Sequence, residues 1–362
     1  MKVGLLTFHS AHNYGAVLQA YATLQTLREL GADTSCINYQ PAYLIKQRIF
    51  PRLKNESLII KVKLFIEAFI TFYWKFKRIN GFNNFIKNKM NLTSEIYTQP
   101  KFNHNYDAYI MGSDQIWNVK LTRGFDAAFW GNFKSNKNAL KISYAASMSN
   151  YNLSTNQKKQ MFNLLGNFNS ISVREEEAKR FIYDNFKINT QTVLDPTFLL
   201  GCKAWKTISI SPKINKKYVL LYSIELREEA KKIAKIISKQ LDAIVIELTM
   251  VVDKGVVFNK YQSASPEEYL GLFENAACII TSSFHGTAFS IIYNKPFYSI
   301  AQENDKDNRQ ITILKKLGLI NRFINKNEIP QFKTIDYTPV NSKLAILREK
   351  SISFLKNSLK IH

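Results

Sequence analysis

The sequence predicts an α/β protein built from two doubly wound domains facing across a cleft. Three observations carry this. Short apolar runs that end in small or polar residues alternate with helical patterns, the grammar of parallel sheets covered by helices. The alternation starts afresh after residues 200–216, and the 362 residues exceed the roughly 100–200 residues of a single domain. The domains are placed at residues 1–205 and 206–362.

In the first half, strands are predicted at Val3–Phe8, Thr34–Asn38, Ala108–Gly112, Lys141–Ser147, Ser170–Val173 and Thr192–Leu194. A helix is predicted from Gly15 to Leu30, stopped by Gly31 because glycine tolerates the left-handed turn that ends helices. A helical insertion at about 54–90 interrupts this pattern. Within it, residues 58–79 set Lys61, Glu67, Thr71, Lys75 and Arg78 largely on one stripe beside a broad apolar face. Two readings stay open for that face: burial against the first domain, or an interfacial helix on an anionic membrane with Phe72, Tyr73 and Trp74 inserted. No run of about 18 uncharged residues exists to span a bilayer.

The second half repeats the grammar at Tyr218–Ser223, Ala243–Leu248, Cys278–Phe284 and Pro296–Ile300. Ser265 followed by Pro266 signals a helix start, since a serine cap and a proline in the first turn both suit an N-terminus. The C-terminal helix is expected to pack back on the first domain.

Composition narrows the function class. Fifty Lys and Arg against 28 Asp and Glu give a formal charge of +22, which draws in nucleic acid, anionic lipid or phosphorylated substrates. A lysine- and asparagine-rich composition alone gives the same balance. Nucleic acid is not expected, because the basic residues are scattered rather than clustered with stacking aromatics. Cys36, Cys202 and Cys278 are too far apart for a zinc site or a disulfide framework, which suits a reducing compartment. The start MKVGLLTFHS reads as a strand, too short for a signal-peptide core, and a cytoplasmic location is expected.

Four segments carry candidate chemistry, each where a strand runs into a loop or helix. In doubly wound sheets those carboxyl ends border the ligand crevice. After the first strand come His9, His12, Asn13 and Tyr14, near free helix N–H groups. After Ala108–Gly112 comes Asp114, able to take a proton from a sugar hydroxyl, with Gln115 and Asn118 to orient the ring and Trp117 to stack on it. The alternative there is a helix cap with Trp117 in the core. Arg174 either pairs with a carboxylate of the following EEE or grips an anion in bidentate fashion; Asp195 ends the next strand in a similar place. Finally Ser283, His285, Gly286 and Thr287 stand at a strand-to-helix turn suited to phosphate, where His285 is either structural or a neutraliser of departing charge. Neither GxGxxG nor a Walker loop is present.

Together, the NYGA loop with Gln19, the GSDQIWN segment, SVRE around Arg174, LDP at Leu194–Pro196, SFHG around His285 and DNRQITILKKLGLINR from Asp307 resemble the polysaccharide pyruvyl transferase family over roughly residues 3–320. The resemblance implies two Rossmann-like domains similar to the two-domain GT-B-like glycosyltransferases. It also implies phosphoenolpyruvate as co-substrate, a cyclic ketal on a sugar that is lipid-linked or an oligosaccharide, and neither metal nor cofactor. It matches Arg174 to a basic residue that holds the donor and His285 to the histidine that acts on it; joined to the reading of the strand ends, this leads us to expect catalysis at His285 and Asp114, and donor binding at Arg174, Ser283, Gly286, Thr287, Lys295 and Arg309. His9, His12, Asn13, Tyr14, Gln115, Trp117 and Asn118 fall on the acceptor side. Many members carry Arg-Leu before the histidine; here Ser283-Phe284 stands instead, and Arg309 or Lys295 is expected to supply the missing cation.

Two other classes fit less well. A nucleotide-sugar glycosyltransferase needs an acidic residue for the ribose, and only Glu303 is placed for it. A non-enzymatic anion-binding module needs clustered basic residues.

Overall fold

The computed structural model describes residues 1–44, 57–149, 151–224, 226–249 and 259–361, with 58–71 and 259–260 described by backbone alone. Residues 2–192 form a six-stranded sheet: β1 (Lys2–Leu6), β2 (Asp33–Cys36), β3 (Ala108–Met111), β4 (Leu140–Ala146), β5 (Ser170–Val173) and β6 (Gln191–Thr192). Its order is β2-β1-β3-β4-β5-β6, every pairing parallel. The second sheet holds β7 (Tyr218–Tyr222), β8 (Ile244–Leu248), β9 (Asn259–Tyr261), β10 (Cys278–Thr281), β11 (Phe297–Ile300) and β12 (Phe323–Ile324). It is ordered β12-β11-β10-β7-β8-β9 and is also fully parallel. The chain is thus two Rossmann-like α/β units.

The central strands are apolar on both faces because helices cover both: Ala108–Met111, Tyr218–Tyr222 and Cys278–Thr281 are buried at every position. Over the first sheet lie α1 (Tyr14–Glu29), α2 (Leu58–Lys89), α3 (Thr155–Leu165) and α4 (Glu176–Phe186). The short α5 (Cys202–Lys206) leads to α6 (Arg227–Gln240), α7 (Pro266–Asn275), α8 (Phe284–Ile292), α9 (Asp307–Leu317) and α10 (Thr338–Leu359). At Ser265 the side chain accepts from Glu268 N while the Glu268 carboxylate accepts from Ser265 N, a reciprocal cap with Pro266 in the first turn. Expected strand Cys278–Phe284 stops at Thr281, because Ser283 turns to cap α8. Strands β9 and β12 escaped sequence reading, being three and two residues long.

The units share one apolar core. Tyr14 of α1 stacks on Tyr269 of α7 at 4.6 Å, and its hydroxyl donates to Ala264 O at 2.8 Å. Helix α10 returns to the first unit: Arg348 Nε donates to Phe198 O, and Ser351 Oγ accepts from Leu194 N. The chain reversals lie between β1 and β3 in one sheet and between β7 and β10 in the other, the switch points where open α/β sheets bind ligands.

Candidate active site

Both switch points open on one cavity of about 150 Å³. It is lined by Asn13 after β1, Asp114 and Gln115 after β3, Ile224 after β7, Ser282 to His285 after β10, and Gln302, Lys306 and Arg309 after β11. Asn13, Ser283 and Lys306 are the residues at which α1, α8 and α9 begin. Three helix N-termini therefore meet in one small space, each with a partial positive charge of about half a unit. Lys306 and Arg309 add two full cations, so the cavity is built for an anion. Gln302 lines the cavity, and its Oε1 is a buried acceptor with no hydrogen-bond partner.

One carboxylate faces these cations. Asp114 has φ 66°, in the left-handed region that aspartate tolerates better than most residues. The conformation is fixed by Ser147 N donating to its carbonyl at 3.0 Å. Gln115 beside it accepts from Asn118 Nδ2 at 2.7 Å. Among the described residues no helix follows β3, so the helix-cap reading of Asp114 is not realised.

His285 sits in the first turn of α8, 7% exposed. Its ring reaches across to the first unit. A Cβ on Gly15 would lie 1.9 Å from His285 Nδ1, so only glycine at the start of α1 admits the imidazole. On the other side Nε2 stands 3.8 Å from Asp195 Oδ2 and has no hydrogen-bond partner. Gly286 is needed for packing, since a Cβ there would meet Thr281 Oγ1 at 2.1 Å.

Behind the cavity, Arg174 is the hub of a buried ion cluster. Its Nη1 bonds Asp195 Oδ2 at 2.6 Å, Nε bonds Glu175 Oε1 at 3.2 Å, and Nη2 lies 3.5 Å from Asp114 Oδ1. Burial opposes the charge on Arg174, but the three carboxylates hold its pKa above the ordinary value. Burial alone would likewise raise the Asp195 carboxyl; the His285 ring and the Arg174 guanidinium overcome that and hold it well below the usual range. Thr197 N and Oγ1 both donate to Asp195 Oδ1. The Phe284 ring centroid lies 4.5 Å from the Arg174 guanidinium carbon and 5.9 Å from that of Arg309. Burial and the charge of Arg174 lower the pKa of Arg309, which the carboxylates of the cluster partly offset.

Several expected site residues go elsewhere. Arg174 is spent on carboxylates and does not line the cavity. Trp117 is 1% exposed, stacked on Trp130 at 4.6 Å with Nε1 donating to Phe129 O, so it is core and no sugar platform. Tyr14 is consumed at the contact between the units. Thr287 is buried, bonding Ser283 O and Ser299 Oγ. Lys295 follows the far end of α8, beside Lys206, Glu274 and Cys202, so of the two expected replacements for the missing cation only Arg309 lines the cavity, where Lys306 joins it. His12, next to Asn13 in sequence, does not line the cavity; it is stacked on Phe82 and paired with Asn83 of α2.

His9 is fully buried, with Nε2 against Asn38 Oδ1 at 3.1 Å. Burial lowers its pKa, partly offset by the bonds to Asn38 and Thr7. An unfolded histidine titrates near 6.5, so below about that pH the unfolded chain takes up a proton that the folded one refuses. Stability should fall from pH 7.5 to 5.5, and His9→Gln should reduce that fall in urea titrations. An unchanged pH dependence in the variant would rule out His9 as its source.

Sequence reading missed Asp195 as partner of His285, and Gln302 and Lys306 altogether. The signal for the last two was present, since both follow the carboxyl end of a predicted strand, the rule that found His285.

Among the described residues no cluster of three or more His, Cys, Asp or Glu could hold a metal, and no helix is long and apolar enough to cross a membrane. In shape, the chain is similar to E. coli heptosyltransferase WaaC with ADP, at 13% identity and TM-score 0.41 over 96% of this chain and 99% of that one. A putative UDP-N-acetylglucosamine 2-epimerase from Listeria monocytogenes aligns at 9% identity and TM-score 0.49 over 99% and 90%. UDP-GlcNAc 2-epimerase from Neisseria meningitidis bound to UDP-GlcNAc aligns at 11% and 0.45 over 100% and 95%. No curated protein matches. The family model for polysaccharide pyruvyl transferase matches residues 13–304, a span that takes in Asn13, Asp114, His285 and Gln302, and the chain belongs to that family.

Proposed function

We propose that the protein transfers the enolpyruvyl unit of phosphoenolpyruvate to two neighbouring hydroxyls of a sugar, forming a cyclic ketal during cell-surface polysaccharide synthesis. The observation that carries this reading is the meeting of three helix N-termini with Lys306, Arg309 and His285 in one cavity. Phosphoenolpyruvate bears a phosphate and a carboxylate, and needs that much positive potential.

In this reading His285 donates a proton to the methylene carbon of the donor, which becomes a methyl group. One sugar hydroxyl attacks C2 and passes its proton to Asp114. The C2–O bond to phosphate then breaks, with Lys306, Arg309 and the N-terminus of α8 taking up the charge of the leaving group. The second hydroxyl closes the ring and its proton leaves with phosphate, while the proton held by Asp114 returns through solvent to His285. Donor and diol thus give ketal and inorganic phosphate. Asp195 and Gly15 hold the His285 ring in place, while Asn13 and Gln115 face the acceptor; Asn118, expected beside them, does not line the cavity and spends its side chain on Gln115, Lys120 and Leu121. The acceptor is a lipid-linked sugar or an oligosaccharide, and the protein works in the cytoplasm at the inner face of the plasma membrane.

Phosphate release from phosphoenolpyruvate, measured across short lipid-linked and synthetic glycosides, tests the reaction. Release is expected only with acceptors carrying two neighbouring free hydroxyls. Glycosyl transfer from a nucleotide sugar, with no phosphate release from phosphoenolpyruvate, would replace the proposal by a glycosyltransferase.

A further inference from the structure

We propose that the exposed face of α2 around Phe72–Phe76 docks the protein on an anionic lipid surface and sets the acceptor loop beside it. This rests on the reading of a lipid-carried acceptor. Phe72, Tyr73, Trp74 and Phe76 are 39%, 62%, 44% and 46% exposed. Elsewhere among the described residues the exposed large apolar side chains lie singly along the sequence, which is ordinary for a protein surface. Four aromatic rings within five residues are not. They also pack on one another: Phe72 stacks on Phe76 at 5.8 Å, and Tyr73 meets Trp74 edge-on at 5.1 Å.

Beyond Lys77 one face of α2 is buried, and not against the first unit alone as the sequence suggested: Phe82 and Phe85 meet Tyr14 and Tyr21 of α1, while the helix also packs on α7 of the second unit. Phe82 and Phe85 are fully buried, and Arg78, assigned from sequence to the polar stripe, is 8% exposed and donates to Gln262 O. The side chains of Lys61, Glu67 and Thr71 lie outside the described residues. From Phe72 to Lys89 the helix carries Lys75, Lys77, Arg78, Lys87 and Lys89 and no carboxylate, with Lys77, Lys87 and Lys89 exposed. Aromatics flanked by lysines match the two halves of an anionic bilayer surface, acyl boundary and phosphate.

The same helix reaches the candidate site. Phe82 stacks on His12 at 5.2 Å, and Asn83 Oδ1 lies 3.1 Å from His12 Nε2. Eight residues separate Trp74 from Phe82, about 12 Å at the helical rise of 1.5 Å per residue. A sugar attached to a membrane-embedded carrier therefore meets the acceptor loop within about two helical turns of the inserted rings.

The test uses the full chain, vesicles of phosphatidylcholine with or without phosphatidylglycerol, and no donor or sugar. Trp117, Trp130 and Trp205 are buried, so an emission shift on vesicle binding reports Trp74. A blue shift and co-sedimentation are expected with phosphatidylglycerol vesicles, weakened roughly tenfold or more at about 1 M salt, where the Debye length is about 3 Å. The triple variant Phe72→Ser, Tyr73→Ser, Phe76→Ser, which keeps the probe, should lose both. Should it misfold by circular dichroism, Lys77→Glu with Lys87→Glu and Lys89→Glu leaves the rings in place and should abolish binding through charge alone. No blue shift with anionic vesicles, or binding that ignores salt and the lysine reversals, overturns the proposal. So does a dimer that the triple variant disperses, which would make the patch an interface with a second copy. Because no substrate is present, failure here leaves the transferase reading standing, and a vesicle-binding protein that ignores phosphoenolpyruvate fails only that reading.

Discussion

Replacing His285 by alanine is expected to lower turnover by roughly 100-fold or more, the loss typical of removing a positioned acid or a stabiliser of leaving-group charge. Folding should survive. The ring fills a gap between Gly15 and Asp195 and bonds neither through Nε2, so its loss opens a small hole and breaks no hydrogen bond at that atom. Gly15→Ala offers a second route to the same end. The new methyl group would stand 1.9 Å from Nδ1, so the imidazole must rotate out of place while remaining in the chain. Both variants should depress kcat more than KM, read by phosphate release on protein shown to be folded. A folded His285→Ala enzyme with near-normal turnover would remove the histidine from the chemistry.

Arg174→Ala is expected to fail differently, by unfolding. Sequence alone puts this guanidinium on the donor, where its loss would weaken binding and leave stability intact. In the structure it neutralises Asp195 and Glu175, both essentially without solvent, and touches Asp114. Removing one member of a buried ion cluster leaves uncompensated charge and costs about 3–5 kcal/mol. Chemical denaturation of the variant should show most of that loss. A variant of native stability that binds phosphoenolpyruvate poorly would return Arg174 to the donor.

The strand ends were legible in the sequence because a buried parallel strand is an uninterrupted apolar run, and its carboxyl end is marked by the first small polar residues. That is why Asn13, Asp114, Gln115, Ser283 and His285, which follow three different strands, line one cavity; Arg309, also in the lining, was expected from the family resemblance and not from a strand end. Periodicity does not tell which way a side chain turns once the strand has ended. His9, three residues before His12 in the same loop, folds inward onto Asn38, whereas His12 pairs with Asn83 of α2. Trp117 follows Gln115 by two positions and is core. Lys295 was misplaced because α8 intervenes between it and His285, carrying it to the opposite end of the unit. Pairings across the two sheets, such as His285 with Asp195 and Gly15, depend on how the units dock, and no local pattern encodes that.

The central claim is that this cavity is a seat for phosphoenolpyruvate, and calorimetric titration of that ligand into the wild-type protein and into Arg309→Ala tests it most directly. The account predicts one donor site per chain, weakened in the folded variant by on the order of 1.5–3 kcal/mol for a lost charge-assisted contact, and no heat from a nucleotide sugar. Binding of a nucleotide sugar with none of phosphoenolpyruvate, or phosphoenolpyruvate binding untouched by the loss of Arg309, would contradict it.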